Sequence, residues 1–224
     1  VVALIRGLRK ENEVRSFDSL ETMKFKTFTG GPYATNCFAA PTEGGLVLFD
    51  APEGADEAFA GEKVGLLVLT HGHWDHVADA AAVRARHKCP VVGHEETVPM
   101  VSDPDFFARQ GFPFRCEPVA IDKVLREGRD QDLLGWKVDV LEVPGHCPGS
   151  LCFHAPGEGV LIGGDVLFQG GIGRWDLPGG DGDLLLRGIR QKLFKLPDDT
   201  VVLPGHGPQT TIGQEKTSNP FLRN

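Results

Sequence analysis

The chain has 224 residues, of which 41% are hydrophobic and 24% charged, an ordinary globular balance on a length sufficient for one substantial core. Its formal charge of −8, with no block of basic residues, argues against nucleic acid as a partner. Apolar runs are far too short to cross a bilayer and no secretion signal is legible, so the expectation is a cytoplasmic protein with no membrane partner.

In chain order, residues 1–22 read as a charged, weakly patterned leader, either disordered or an artefact of an assumed translation start, and residues 23–224 as a single domain. Apolar, β-branched runs bounded by turn residues predict strands over 24–28, 37–40, 46–49 and 65–69. Residues 77–87 follow as a helix, then a short strand at 91–92. Between 93 and 132 the pattern weakens; Phe106, Phe107, Phe112 and Phe114 are read there as loop side chains packing on the core, in preference to the wall of a pocket. Further strands are predicted at 138–143, 151–154, 160–162 and 201–203. The clearest helix is 183–196, where Leu185, Ile189, Leu193 and Leu196 form one stripe behind a capping Asp183. Many strands and few helices imply layered sheets covered by helices, and the 29 Gly and 16 Pro imply that loops matter.

Five cysteines without CxxC spacing fit neither a disulfide framework nor a zinc knuckle, and suit a reducing cytosol. The histidines are more informative. His71 and His73, two apart just past a buried strand, project to the same side of an extended chain and can share one cation. Asp75 and His76 follow where a helix turns the chain, and offer an oxygen and a nitrogen to a second position. His146, Asp165 and His206 each follow a predicted strand, separated from it by Gly or Pro-Gly. A lone histidine there is usually a hydrogen-bonding surface residue, but together these residues converge on one edge of the sheets. His87, His94 and His154 lack this setting and read as ordinary polar residues.

THGHWDH, spanning residues 70–76, resembles the HxHxDH signature of the metallo-β-lactamase superfamily. PGHCPGS around His146, GGDVLF around Asp165 and LPGHGP around His206 are similar to its later motifs, in the same order. The resemblance implies an α+β fold, a four-layer αββα sandwich, with two divalent metal ions: His71, His73 and His146 on one, Asp75, His76 and His206 on the other, Asp165 bridging. Zinc is expected, with iron or manganese as alternatives. Asp50 resembles the acid that supports the ligands from behind, although a plain turn residue fits it equally. Cys147, beside His146, is read as a free thiol.

GGIGRWDLPGGD (170–181) and IGQEKTSNPFL (212–222) look like the short glyoxalase II-type hydrolases. That likeness implies a thioesterase acting on a small-molecule S-acyl glutathione such as S-lactoylglutathione. A hydroxide shared by the metals would be the nucleophile, Asp75 would orient it and Asp165 would hold the pair together. Arg174 is the candidate for a substrate carboxylate, whereas Lys216 and Arg223 read as solvated surface charges. Gly207 stands where larger glyoxalase II enzymes often carry an aromatic residue. Two alternatives resemble the same motifs: a persulfide dioxygenase with a single iron on His71, His146 and Asp165, and a lactone or ester hydrolase on the same dinuclear site.

Overall fold

The short β-branched runs pair into two twisted sheets in the computed structural model, which describes residues 15–19 and 23–223. The first sheet has seven strands in sequential order: β1 (Arg15–Ser19), β2 (Met23–Gly30), β3 (Thr35–Thr42), β4 (Gly45–Phe49), β5 (Val64–Val68), β6 (Val91–Gly93) and β7 (Lys123–Val124). β1 to β4 form an antiparallel meander, and β4 to β7 run parallel. Parallel neighbours need crossovers, which α1 (Ala55–Ala58), α2 (Trp74–Val77), α3 (Ala80–His87) and α4 (Val98–Ser102) provide.

The second sheet contains β8 (Gly128–Leu133), β9 (Trp136–Glu142), β10 (Leu151–Ala155) and β11 (Val160–Gly164). After a small hairpin of β12 (Leu167–Phe168) and β13 (Gly171–Ile172), it is completed by β14 (Val201–Pro204) and β15 (Thr210–Thr211) in the order β15-β14-β11-β10-β9-β8. Here only β11 and β14 are parallel, joined through α5 (Gly182–Gln191), and α6 (Ile212–Ser218) follows β15.

Strand alternation splits the apolar residues into three layers. Val47, Phe49, Leu66 and Val68 point between the sheets, where they meet Val138, Phe153, Val160 and Ile162. Their neighbours Leu46, Leu48 and Leu67 point outward under Ala55, Ala80 and Val83 of the helices. On the far side Leu161 and Val202 meet Leu185, Ile189 and Ile212. Strands covered on both faces read as unbroken apolar runs, which is why 46–49 and 65–69 show no alternation in sequence. The result is the expected αββα sandwich. Among the described residues, no helix is long and apolar enough to cross a membrane.

Four details differ from the sequence reading. Most of the proposed leader lies outside the described residues, but Arg15–Ser19 within it pairs with β2 as a strand. The helix expected over 77–87 is two helices, because the backbone of Ala51 inserts at the break: its N–H donates to the His76 carbonyl at 2.7 Å, and its carbonyl accepts from the Asp79 N–H at 2.9 Å. The cap of α5 is Asp181, not Asp183; its carboxylate accepts from the Leu184 N–H. Finally, β8 carries the polar run Arg129–Asp132, which hid it from a search for apolar periodicity; an edge strand is commonly charged because charge blunts pairing with other chains.

Candidate metal centre

The parallel pairs β4/β5 and β11/β14 end at one edge, and each is followed by a polar residue: Asp50 after β4, His71 and His73 after β5, Asp165 after β11, His206 after β14. In sheets of this kind, the carboxyl ends of parallel strands are where loops converge on a ligand. His146 arrives from the loop after β9, and Asp75 and His76 lie on α2. All seven residues expected as ligands meet here. Potential ligand atoms of His71, His73 and His146 lie within 4.8 Å of one another, as do those of Asp75, His76 and His206.

Hydrogen bonds on the outer side of each ring decide which nitrogen faces inward. His76 Nδ1 donates to Asp50 Oδ2 at 2.7 Å, His146 Nδ1 to the Arg174 carbonyl at 2.7 Å, and His206 Nδ1 to the Tyr33 carbonyl at 3.1 Å. Thr70 Oγ1 donates to Asp50 Oδ2 at 2.7 Å and so accepts from His71 Nδ1 at 3.0 Å. Four imidazoles therefore turn Nε2 inward, the arrangement that a carboxylate or carbonyl behind a ligating histidine produces. His73 instead presents Nδ1, 2.8 Å from His146 Nε2. His76 Nε2 and His206 Nε2 lie 3.3 Å apart.

Asp165 sits between the groups. Its Oδ1 is 3.3 Å from His76 Nε2, and its Oδ2 is 3.2 Å from His206 Nε2 and 3.6 Å from His146 Nε2. Asp75 Oδ2 faces His206 Nε2 at 3.3 Å and accepts from Thr35 Oγ1 at 2.8 Å. Buried His71 Nε2 and Asp165 Oδ1 have no hydrogen-bond partner. A buried polar atom without a partner is costly, and two such atoms converging with paired nitrogens fit divalent cations. His71, His73 and His146 could hold one ion, Asp75, His76 and His206 a second, with Asp165 reaching both.

Electrostatics divides the histidines in the same way. Burial pushes His71 well below its usual pKa, and His73 down to about 3, in each case with help from neighbouring imidazoles; burial also lowers His146. Those rings are neutral and so able to act as ligands. For His76 and His206 burial acts in the same direction, but Asp165 together with Asp50 or Asp75 outweighs it, so His76 rises well above its usual value and His206 rises to about 10. Burial raises Asp165, yet the charge of His76 and the hydrogen bond from His206 carry it well below the usual carboxylate range. The carboxylates thus draw positive charge into the site, as protons or as cations.

Asp50 makes a turn and also faces the candidate ligands from behind. Its φ of 64° makes the turn after β4, and that turn aims its carboxylate at the Thr70 N–H, the Thr70 hydroxyl and His76. Arg174 lines the cavity, but its guanidinium is committed to Asp176 at 2.8 and 2.9 Å, and what it gives the site is its carbonyl. Lys216 pairs with Asp198 at 2.5 Å, and Arg223 donates to the Ser218 carbonyl. Cys147 is buried against Met100, and burial pushes its thiol up to about 12.

Sequence reasoning missed Asn36. Its Nδ2 donates to the carbonyls of Pro204 and Gly207, both at 2.9 Å, and clamps the turn carrying His206. The signal was a Thr-Asn pair at the head of an otherwise apolar strand. It also missed Glu215, wholly buried in α6, which accepts from the Gly170 N–H, Thr210 Oγ1 and Asn219 Nδ2 and so ties the β12–β13 hairpin to the C-terminal helix.

A cavity of about 440 Å³ opens onto His73, Asp75, His146, Asp165 and His206. All four phenylalanines of the 93–132 segment line it, while also packing against the outer core. The preference for core packing alone is therefore corrected: a loop threaded over the site can bury one side of a ring and present the other.

A family model described as the metallo-beta-lactamase superfamily matches residues 30–206. The hydroxyacylglutathione hydrolase GloC of Haemophilus influenzae is 42% identical over 160 residues, 70% of this chain and 75% of that protein. Among solved structures, the BLEG-1 B3 metallo-beta-lactamase has a TM-score of 0.81 at 37% identity, covering 89% of this chain and 100% of the other. TTHA1623, solved in a di-iron-bound form, has a TM-score of 0.77 at 36% identity, covering 87% and 98%.

Proposed function

We propose that this chain, which belongs to the metallo-β-lactamase superfamily, is a dinuclear metal-dependent hydrolase that cleaves thioesters, with S-acyl glutathiones such as S-lactoylglutathione as the first class to test. The observation that carries the reading is Asp165, whose two oxygens lie within 3.6 Å of nitrogens from both histidine groups. Two groups of ligand atoms joined through one carboxylate fit two ions better than one. Similarity to GloC supports the thioester, and the di-iron form of TTHA1623 keeps iron beside zinc as the resident metal.

His71, His73 and His146 would hold one divalent ion and Asp75, His76 and His206 the other, with Asp165 shared. Such a pair, when bound, lowers the pKa of water toward neutrality and polarises a carbonyl. The protein's own part is orientation. Asp50 fixes His76 directly and His71 through Thr70, so two ligands from opposite groups depend on one buried carboxylate. Thr35 holds Asp75 Oδ2 at 2.8 Å and so fixes the carboxylate that would orient an attacking water. The aromatic loop screens the site from solvent on one side.

The decisive comparison assays thioester hydrolysis and oxygen uptake in parallel on protein of known metal content. Hydrolysis of an S-acyl glutathione with about two ions bound is expected. One iron per chain, oxygen uptake on glutathione persulfide and no hydrolysis would replace this reading with the dioxygenase one.

A further inference from the structure

The wall of the cavity is an aromatic ladder. Trp74 and Phe114 stack at 3.9 Å between centroids and 17° between planes, and Phe112 continues the stack at 6.4 Å and 12°. Tyr33 closes the near end, edge-on to Trp74 at 5.1 Å. The ladder is continuous with the metal-facing floor, because Trp74 lies between His73 and Asp75 in sequence and lines the same cavity. These rings line the cavity while packing in part against the outer core, and so offer it an apolar wall, suited to an alkyl chain or an aromatic ring.

Charge points the same way. Glutathione carries two carboxylates at neutral pH, yet among the described residues Arg174 is the only Lys or Arg lining this cavity, and it forms an exposed pair with Asp176. The cations nearest the wall in sequence are also taken: Arg109 by Asp103, and Arg115 by Asp105 at 2.8 Å. The chain as a whole has a formal charge of −8. Beyond the metal-facing residues, the described lining offers no second Lys or Arg for a pair of carboxylates, whereas much of it is apolar.

Resting on the thioesterase reading above, we infer that the preferred substrate is a thioester with an apolar acyl group, medium-chain alkyl or aryl, on an uncharged thiol. The reaction is ordinary hydrolysis. A C–O bond forms from water and the C–S bond breaks; one water proton ends on the departing thiol, and the other leaves as the product ionises to a carboxylate.

The test compares acetyl, hexanoyl and phenylacetyl thioesters of N-acetylcysteamine with S-lactoylglutathione, using the metal-loaded protein. Each buried methylene is worth about fourfold, so kcat/KM for the hexanoyl and phenylacetyl compounds should exceed that for acetyl by roughly 10-fold or more, and exceed that for S-lactoylglutathione. Phe114→Ala should cut the hexanoyl-to-acetyl ratio by roughly 10-fold, chiefly through KM, and Phe114→Leu should restore part of it. Phe112→Ala serves as a second variant should Phe114→Ala unfold. Calorimetry with the uncleavable thioether S-hexyl-N-acetylcysteamine gives a readout independent of turnover, with weaker binding expected in both alanine variants. Equal or better cleavage of S-lactoylglutathione, with a ratio indifferent to Phe114, would overturn the inference and leave the thioesterase reading standing. Thioether binding that depends on Phe114, with no thioester cleaved, would uphold the apolar site and overturn the reaction. Neither binding nor cleavage would overturn both.

Discussion

Gly205 precedes His206 in the turn after β14, and its neighbours explain why it has no side chain. A Cβ at this position would lie 2.1 Å from Asp165 Oδ1 and 2.7 Å from His76 Cε1, whereas real Cβ contacts are essentially never under 3.0 Å. In Gly205→Ala, relief of the first contact alone requires Asp165 to move by about 0.9 Å, the difference between 3.0 and 2.1 Å. A misplacement near 1 Å costs on the order of 100-fold in rate, or about 2.7 kcal/mol of transition-state stabilisation. Loss of that order in kcat/KM is expected, with reduced metal retention by elemental analysis and little change in circular dichroism. Gly207→Ala is the control in the same turn. Its Cβ would meet nothing within 4 Å, but its φ is +74°, so the penalty is backbone strain. That should cost about 1 to 2 kcal/mol of stability while leaving the metals in place. A Gly205→Ala variant with both metals and unimpaired turnover, or equal metal loss in the two variants, would refute this account of Asp165.

Two more outcomes follow from the supports of the site. Asp50→Asn keeps a residue type that tolerates positive φ but replaces an acceptor-only group facing three donors with one that is half donor. Metal affinity should fall roughly 10- to 100-fold by competition with a chelator, and unchanged affinity would contradict the orienting role. The second outcome concerns protons. His76 and His206 are both raised, His206 to about 10, so at pH 7 they hold protons that a cation must displace. A raised histidine keeps its proton until the pH passes its folded pKa. Zinc binding to the metal-free protein at pH 7 should therefore release at least about one proton, measured by calorimetry in buffers of different ionisation enthalpy, and release should decline as pH approaches about 10. Binding at pH 7 without proton release would show those rings to be neutral already.

Most of the candidate ligands were legible in sequence because His71, His73, His146, Asp165 and His206 are polar residues just past apolar strands with Gly beside them, a pattern that places them at a sheet edge whatever the topology. His146 and His206 could be paired with the 71–76 segment only through the family resemblance, since nothing local connects residues so far apart. Contributions made by backbone were not legible. The carbonyls of Arg174 and Tyr33 orient His146 and His206 regardless of side chain, so Arg174 was singled out for its guanidinium and matters to the centre through its carbonyl. The break between α2 and α3 escaped for the same reason, because the Ala51 main chain makes it. The phenylalanines were divided between core and pocket as though the two excluded each other, which holds for a strand facing one layer but not for a loop lying over a cavity.

The central claim is that seven side chains hold two cations with Asp165 between them. Anomalous diffraction from crystals of the full chain grown with zinc tests it most directly. The account predicts two peaks, one enclosed by His71, His73 and His146 and the other by Asp75, His76 and His206, with Asp165 in contact with both. A single peak in either group, or two peaks with Asp165 touching only one, would contradict it.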